Sequence, residues 1–128
     1  MEKVRVQHLI LNTGARMPMI GLGTWKSGPN VVGQAVTHAL CTSGYRLVDC
    51  AAIYGNETEI GTALRDVFSA GKILRDDIFI TSKLWNVSHA RADVAAACKK
   101  TLRDLQLDYL DLYLMHWGIA LDEKGNLA

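Results

Sequence analysis

The stretch VDCAAIYGNETEIG, residues 48–61, joins the end of a predicted strand to the start of a predicted helix. The two residues that directly precede Asp49 are Leu47 and Val48. Both are apolar and typical of a buried strand. Tyr54 follows five residues after Asp49, just before the helix. A charge at the end of a buried strand is costly unless it has a partner, so this placement needs an explanation.

Three more strand candidates surround this unit. MIGLGTW, residues 19–25, precedes it, and IFITSKLW, residues 78–85, and DYLDLYLMHW, residues 108–117, follow it. Apolar residues at helical spacing follow each of the first three strands. The predicted boundary residues are Pro29, Asn30 and Gly44 for the first helix, Asn56, Glu59 and Gly71 for the second, and Ser88 for the third. Asn56 and Glu59 form a capping-box pattern.

Strands that alternate with amphipathic helices about every 30 residues predict right-handed βαβ units and a parallel sheet. Two architectures fit this pattern, an open doubly wound sheet and a (β/α)8 barrel. The dinucleotide fingerprint of the open sheet needs three spaced glycines after the first strand, but GLGTWK supplies only Gly21 and Gly23. These features alone leave both architectures open.

The composition predicts one globular unit. The chain has 128 residues, of which 49% are apolar, and residues from about 5 to 18 predict a hairpin around an Asn-Thr-Gly turn. Basic residues are scattered and the net charge is +1, which argues against a nucleic-acid partner. No apolar run is long enough for a membrane span and the start does not resemble a signal peptide, so we expect a cytoplasmic protein.

The cysteines are three in number, Cys41, Cys50 and Cys98, and each lies in an apolar segment. No C-x-x-C spacing occurs, so we expect no metal site. They are predicted to be reduced thiols in the core.

Polar and aromatic side chains end every predicted strand. The strand-end residues are Thr24 and Trp25, Asp49, Lys83 and Trp85, and His116 and Trp117. Both candidate architectures place function at the carboxyl ends of their strands. Each residue alone has an ordinary structural explanation, such as a cap or a core histidine, but the fold would bring them to one rim. The tryptophans at this rim predict an aromatic-walled pocket.

A carboxylate, an ammonium and a phenol can act together as a proton relay. A free tyrosine has a pKa of about 10 and is a poor proton donor at neutral pH. A neighbouring ammonium favours the phenolate, and a carboxylate in turn favours the charged form of a desolvated ammonium. Asp49 paired to Lys83, and Lys83 to Tyr54, would form such a relay, while a neutral His116 could donate a hydrogen bond to a carbonyl oxygen.

At these residues the sequence resembles the aldo-keto reductase family. MPMIGLGTWK, VDCAAIYGNETEIG, IFITSKLW and LDYLDLYLMHW are similar to the family's signature stretches and stand in the same order. The resemblance implies a (β/α)8 TIM barrel plugged by an N-terminal hairpin, and NADPH-dependent reduction of aldehydes and ketones. The implied catalytic residues are Asp49, Tyr54, Lys83 and His116, with Tyr54 as general acid; the implied cofactor contacts are Gly23, Thr24 and Asp49; and the implied substrate contacts are Trp25, Trp85 and Trp117.

The sequence departs from the family pattern in two ways. Gly118 stands where the family usually has proline, and the later phosphate-binding, adenine-binding and substrate-loop segments have no counterpart. Residues 1–128 therefore resemble the N-terminal half of a barrel, with the hairpin, four strands and three helices. Half a barrel would expose strand edges and an apolar face, which predicts a truncated product or fragment that pairs with a second copy or with a missing half. The alternative function is a catalytically inactive half-barrel that acts only as an assembly module.

Overall fold

The computed structural model describes residues 7–128 and begins with the predicted hairpin. Strands β1 (His8–Ile10) and β2 (Arg16–Pro18) are antiparallel, with Leu9 opposite Met17. The turn between them contains Gly14 at a φ of 85°, a left-handed conformation that glycine adopts without steric cost. The first two residues of the predicted range, 5 and 6, lie outside the described residues.

Four parallel strands form the main sheet. They are β3 (Leu22–Gly23), β4 (Leu47–Asp49), β5 (Phe79–Leu84) and β6 (Leu112–Met115). Each strand pairs with the next one along the chain, in the order β3-β4-β5-β6. This is the strand order of a barrel, because a doubly wound sheet reverses its order at a switch point.

Three helices cover one face of this sheet. They are α1 (Val32–Cys41), α2 (Glu57–Ser69) and α3 (Arg91–Leu105). The core lies between helices and sheet and includes Val36, Val48, Leu64, Ile80 and Leu105, each fully or almost fully buried. Val48 and Ser82 face the helices, so their neighbours Asp49 and Lys83 point to the opposite face, which no helix of the described residues covers. The carboxyl ends of the strands therefore stay accessible.

The helix caps differ from the sequence prediction. Asn56 is the N-cap residue of α2, as predicted, but its side chain makes no cap hydrogen bond and Glu59 does not complete a capping box. Instead, Glu59 accepts hydrogen bonds from the backbone amides of Asn30 at 3.0 Å and Gly33 at 2.9 Å, so it caps the neighbouring helix α1. The N-cap residue of α3 is Ala90, while Ser88 ends a short 3-10 helix, Asn86–Ser88. The position of Asn56 at the start of α2 was therefore predicted correctly, whereas the predictions of a capping box and of Ser88 as a cap were wrong.

The prediction of three core cysteines was correct only for Cys50, which is fully buried. Burial raises the pKa of the Cys50 thiol far above its ordinary value, so the thiol stays protonated. Cys98 is partly buried, and Cys41 is exposed because it lies at the end of α1 on the solvent side. An apolar sequence neighbourhood did not reveal which way the side chain of Cys41 points.

Helices α2 and α3 pack in unusually close contact at Gly61. A Cβ added to Gly61 would lie 2.7 Å from the carbonyl carbon of Leu105 and would overlap the carbonyl oxygen of Asp104. Only glycine, which has no Cβ, fits at position 61 without displacing the backbone of α3. None of the described helices has the length and apolar character needed to cross a membrane.

Candidate active site

An ion pair between Lys83 and Asp49 lies at the carboxyl ends of β5 and β4. The Lys83 Nζ donates to both carboxylate oxygens of Asp49, at 2.9 and 2.8 Å. The hydroxyl of Thr81 donates to Asp49 Oδ1 at 2.6 Å, and Thr81 is opposite Asp49 in the strand register. The parallel pairing of β4 with β5 therefore brings the three side chains together.

Tyr54 completes this group from the loop that follows β4. It ends the short 3-10 helix Ala52–Tyr54, and Gly55, at a φ of 68°, turns the chain into α2. The Lys83 Nζ donates to the Tyr54 hydroxyl oxygen at 3.3 Å and to the Cys50 carbonyl at 2.8 Å. It also lies 5.1 Å from the centre of the Tyr54 ring. The three groups predicted to form a relay are in mutual contact through the ammonium of Lys83.

Hydrogen bonds connect Thr24, at the end of β3, to Asp49 and Asn56. The hydroxyl of Thr24, 1% exposed, donates to the carbonyl of Asp49 at 2.8 Å, and the amide of Asn56 donates to the carbonyl of Thr24 at 2.8 Å. Gly23 is opposite Asp49, and a Cβ added to it would meet no atom within 4 Å. The backbone at Gly23 therefore borders open space beside the ion pair.

His116 follows β6 and faces Tyr54. The two rings are 5.7 Å apart between centres and nearly perpendicular, at 88°. Burial of the imidazole lowers the pKa of His116, and the nearby Lys83 ammonium lowers it further, while Asp49 opposes this. His116 is therefore neutral at pH 7 and retains an N–H that can donate a hydrogen bond.

The three tryptophans surround these side chains. Trp25 lies 6.4 Å from the Tyr54 ring, Trp85 lies 5.3 Å from His116, and Trp117 lies 5.6 Å from Trp85, all between ring centres. Trp25 is 66% exposed and Trp117 56% exposed. The aromatic groups thus form a wall beside the ion pair that is open to solvent on the side of Trp25 and Trp117.

Glu57, the first residue of α2, was not predicted as a site residue and is only 4% exposed. Its carboxylate accepts hydrogen bonds from the hydroxyls of Ser82 at 2.6 Å and Thr101 at 3.1 Å. Burial raises the pKa of this carboxyl above its ordinary value, although both hydrogen bonds oppose the shift. Glu57 gave no signal in the sequence because acidic residues are common in the first turn of a helix. In the described part of the chain, no group of three or more His, Cys, Asp or Glu side chains is arranged to hold a metal ion.

The sequence matches the aldo/keto reductase family over residues 19–121. It is 56% identical to mouse aldo-keto reductase family 1 member A1 over 119 residues, and 57% identical to the human protein of that name. These alignments cover 92% of the chain and 36% of each relative. The chain therefore spans about a third of the length of the curated relatives it matches.

Solved structures show the same correspondence. The aldose reductase of Schistosoma japonicum matches with a TM-score of 0.88 and 47% identity, over 94% of this chain and 43% of that one. A Bombyx mori aldo-keto reductase in complex with NADP matches with a TM-score of 0.90 and 36% identity, over 98% and 42%. The prediction of a (β/α)8 barrel, represented here by its hairpin, four strands and three helices, is confirmed. The chain belongs to the aldo/keto reductase family.

Proposed function

We propose that the protein reduces aldehydes or ketones to alcohols with NADPH, and that Tyr54 donates the proton. The observation that carries this proposal is the Lys83 ammonium, which contacts the Asp49 carboxylate and the Tyr54 hydroxyl at once. A carbonyl oxygen that accepts hydride becomes an alkoxide and needs a proton donor at hydrogen-bond distance. No other described group near the ion pair combines a titratable hydroxyl with a cation beside it.

The residues present fit the nicotinamide end of the cofactor. The bare backbone of Gly23 borders open space next to Asp49, so a flat ring can approach the strand ends closely. Thr24 and Asp49 flank this space and are held in place by the hydrogen bond between them. When bound there, NADPH supplies the hydride. The NADP in the Bombyx mori structure supports this choice of cofactor.

The protein's own groups divide the remaining work. Tyr54 gives its proton to the carbonyl oxygen, and Lys83 stabilises the phenolate that is left. Asp49 balances the charge of Lys83, and neutral His116 donates a hydrogen bond that orients the carbonyl. The tryptophans Trp25, Trp85 and Trp117 bind the apolar part of the substrate. A cytoplasmic location belongs to the same proposal.

The test is NADPH oxidation with an aromatic aldehyde. The wild-type chain should turn the aldehyde over, and Tyr54→Phe should lower kcat by about 10²–10⁴ while leaving folding intact. The matched control is Tyr109→Phe, since Tyr109 lies at the opposite end of the sheet and its hydroxyl donates to Asp76. Near-normal turnover by Tyr54→Phe would contradict the role of Tyr54, and failure of the wild type to bind NADPH would contradict the proposed function.

A second candidate function is assembly through the exposed edge of the sheet. Leu114 and Met115 of β6 are 40% and 61% exposed, and Ile119 beyond the strand is 48% exposed. An open strand edge with apolar side chains is a template for pairing with another chain. The partner in this proposal is a second copy. Concentration-dependent dimerisation in analytical ultracentrifugation that Met115→Lys abolishes would support it, and a monomer with no binding of a hydrophobic dye would contradict it.

A further inference from the structure

The buried carboxylate of Glu57 lies directly behind the ion pair. Ser82, which donates to it, precedes Lys83 in β5, and successive side chains of a strand point to opposite faces of the sheet. Lys83 therefore faces the open side while Ser82 faces the helices. Glu57 also follows Tyr54 by three residues, across the turn at Gly55. A single side chain thus connects the segment of Tyr54 to the strand of Lys83.

Three structural elements meet at this carboxylate. Glu57 begins α2, Ser82 belongs to β5, and Thr101 belongs to α3. Ser82 and Thr101 are 0% and 1% exposed, so the hydrogen bonds are shielded from water. Hydrogen bonds to a charged acceptor are stronger than those between neutral groups, and shielding strengthens them further. The start of α2 is therefore held firmly against the sheet and α3.

Within residues 7–128 the carboxylate of Glu57 has no salt-bridge partner. Burial of an unpaired carboxylate is costly, and an apolar residue at this position would pack without that cost. The stability of the fold alone therefore does not explain why position 57 is a glutamate. The position of Tyr54 gives a better explanation, because its hydroxyl lies 3.3 Å from Lys83, at the long end of hydrogen-bond distances. A small shift of the Tyr54 segment would break that contact.

We propose that Glu57 is a positioning residue for the Tyr54–Lys83 pair. Through Ser82 and Thr101, its carboxylate fixes the start of α2, and with it the loop that carries Tyr54, against the strand that carries Lys83. The inference rests on the proposed function for its catalytic consequence. A misplacement of about 1 Å at a reacting group can lower a rate by up to about 10²-fold.

Other ionisable groups face Glu57 from the elements packed around it. Asp104 and Lys100 face it from α3, Cys50 from the end of β4, and Tyr113 from β6. None of these ionisable side chains forms a hydrogen bond with Tyr54 or Lys83, although the backbone carbonyl of Cys50 accepts one from Lys83. The test therefore uses a signal specific to Lys83 rather than a pH dependence.

The first measurement is the NMR signal of the Lys83 side chain. Lysines labelled with ¹³C at the ε position give separate signals, and the Lys83 signal is identified by its loss in Lys83→Arg. Because the Tyr54 ring lies 5.1 Å from Lys83 Nζ, the ring shifts this signal, and Tyr54→Leu removes the shift. Glu57→Ala should move the signal toward its position in Tyr54→Leu. The control Glu59→Gln, in the same helix but bonded only to α1 and the residues before it, should leave the signal in place.

An unmoved Lys83 signal in folded Glu57→Ala would overturn the inference. Should Glu57→Ala not fold, Thr101→Val removes one donor while keeping the side-chain shape, and an unmoved signal there would overturn it equally. This measurement needs no activity, so it remains decisive even if the wild-type chain proves inactive and the proposed function fails.

The second measurement is steady-state kinetics of aldehyde reduction, per folded molecule. Glu57→Ala should lower kcat about tenfold with KM changed less than about twofold, since the chemical step and not substrate binding depends on Tyr54. Glu57→Gln keeps an acceptor for a hydroxyl donor and should recover most of this loss. A lowered melting temperature with unchanged kcat would assign Glu57 a purely structural role and overturn the inference.

Discussion

Strand β5 has an ion pair at each of its ends, and the two pairs are built differently. At the amino end, Arg75 Nη2 lies 2.7 Å from Asp111 Oδ2, which also accepts the backbone amide of Ile80 at 2.8 Å. Arg75 further donates to the carbonyl of Tyr109 at 3.0 Å and stacks on its ring, 3.9 Å from the centre. This pair ties the start of β5 to the start of β6.

At the carboxyl end, Lys83 contacts Asp49 and the Cys50 carbonyl, and it contacts the Tyr54 hydroxyl at a longer distance. Arg75 is bonded to a carboxylate and to carbonyls, which hold the chain in place. Lys83 is bonded in addition to a group that can lose a proton. In barrels of this kind the amino ends of the strands serve stability and the carboxyl ends serve function, and the two ion pairs show that division within one strand.

Replacement of each cation by methionine should separate the two roles most strongly. Lys83→Met should lower kcat by about 10²-fold or more, because the phenolate of Tyr54 loses its stabilising charge. Arg75→Met should lower the free energy of unfolding by about 2–4 kcal/mol, since it leaves Asp111 unpaired, while kcat per folded molecule stays within about twofold. Urea unfolding and aldehyde reduction measure the two effects. An equal loss of kcat in both variants would contradict the division of roles between the two ends of β5.

The next largest effect concerns the helix layer behind β5. Gly61→Ala should lower the free energy of unfolding by about 1–3 kcal/mol, because the added methyl would overlap the backbone of α3 at Asp104 and Leu105. The control is Gly118→Ala, where an added Cβ meets no atom within 4 Å. Thermal unfolding of both variants gives the answer, and equal melting temperatures would show that α2 and α3 can move apart without cost.

The stability of the fold should depend on pH through the buried carboxyl of Glu57. Because burial raises the pKa of Glu57, the folded protein binds this proton more tightly than the unfolded chain. The contribution of Glu57 to the free energy of unfolding is therefore largest below the ordinary glutamate pKa of about 4.3 and falls as the pH rises toward the raised value. Glu57→Gln lacks this component, so its stability relative to wild type should increase as the pH rises from about 4 to 7. Parallel curves would contradict the burial effect.

The smallest expected effect is on His116. Its pKa should lie below the ordinary value of 6.5, which NMR titration of the ring protons can measure. Removal of the Lys83 charge in Lys83→Met should move the pKa of His116 back toward 6.5 by part of the shift, since burial is the larger cause. In Arg75→Met, at the far end of β5, the titration should match wild type. A His116 pKa above 6.5 would show that Asp49 dominates the site.

Much of the fold followed from local pattern. Apolar runs and helical spacing predicted four strands and three helices, and the ends of the strands predicted that Asp49, Lys83 and His116 would meet at one rim. The choice of a barrel came from the family resemblance, because alternating elements fit an open sheet equally well. The contact of Tyr54 with Lys83 followed from the same reasoning about strand ends, since Tyr54 stands just after β4.

Contacts between side chains far apart in sequence could not be predicted in this way. Glu59 matched a local capping box, but its partners are 26 and 29 residues away in the chain. No pattern in the sequence singled out Glu57 or Arg75, and only the packed structure shows that Glu57 is buried and that Arg75 pairs with Asp111. Such pairings depend on how the helices and strands pack together, and this packing cannot be predicted from the spacing of residues along the sequence.

A double-mutant cycle on Tyr54 and Lys83 in aldehyde reduction tests whether these two residues act as one proton relay. If the Lys83 ammonium acts through the Tyr54 phenol, adding Lys83→Met to Tyr54→Phe should lower kcat only a little further. The double variant should then have a kcat within about threefold of the slower single variant. Losses that multiply across the two positions would show that Tyr54 and Lys83 act independently and that Lys83 does not act through the phenol.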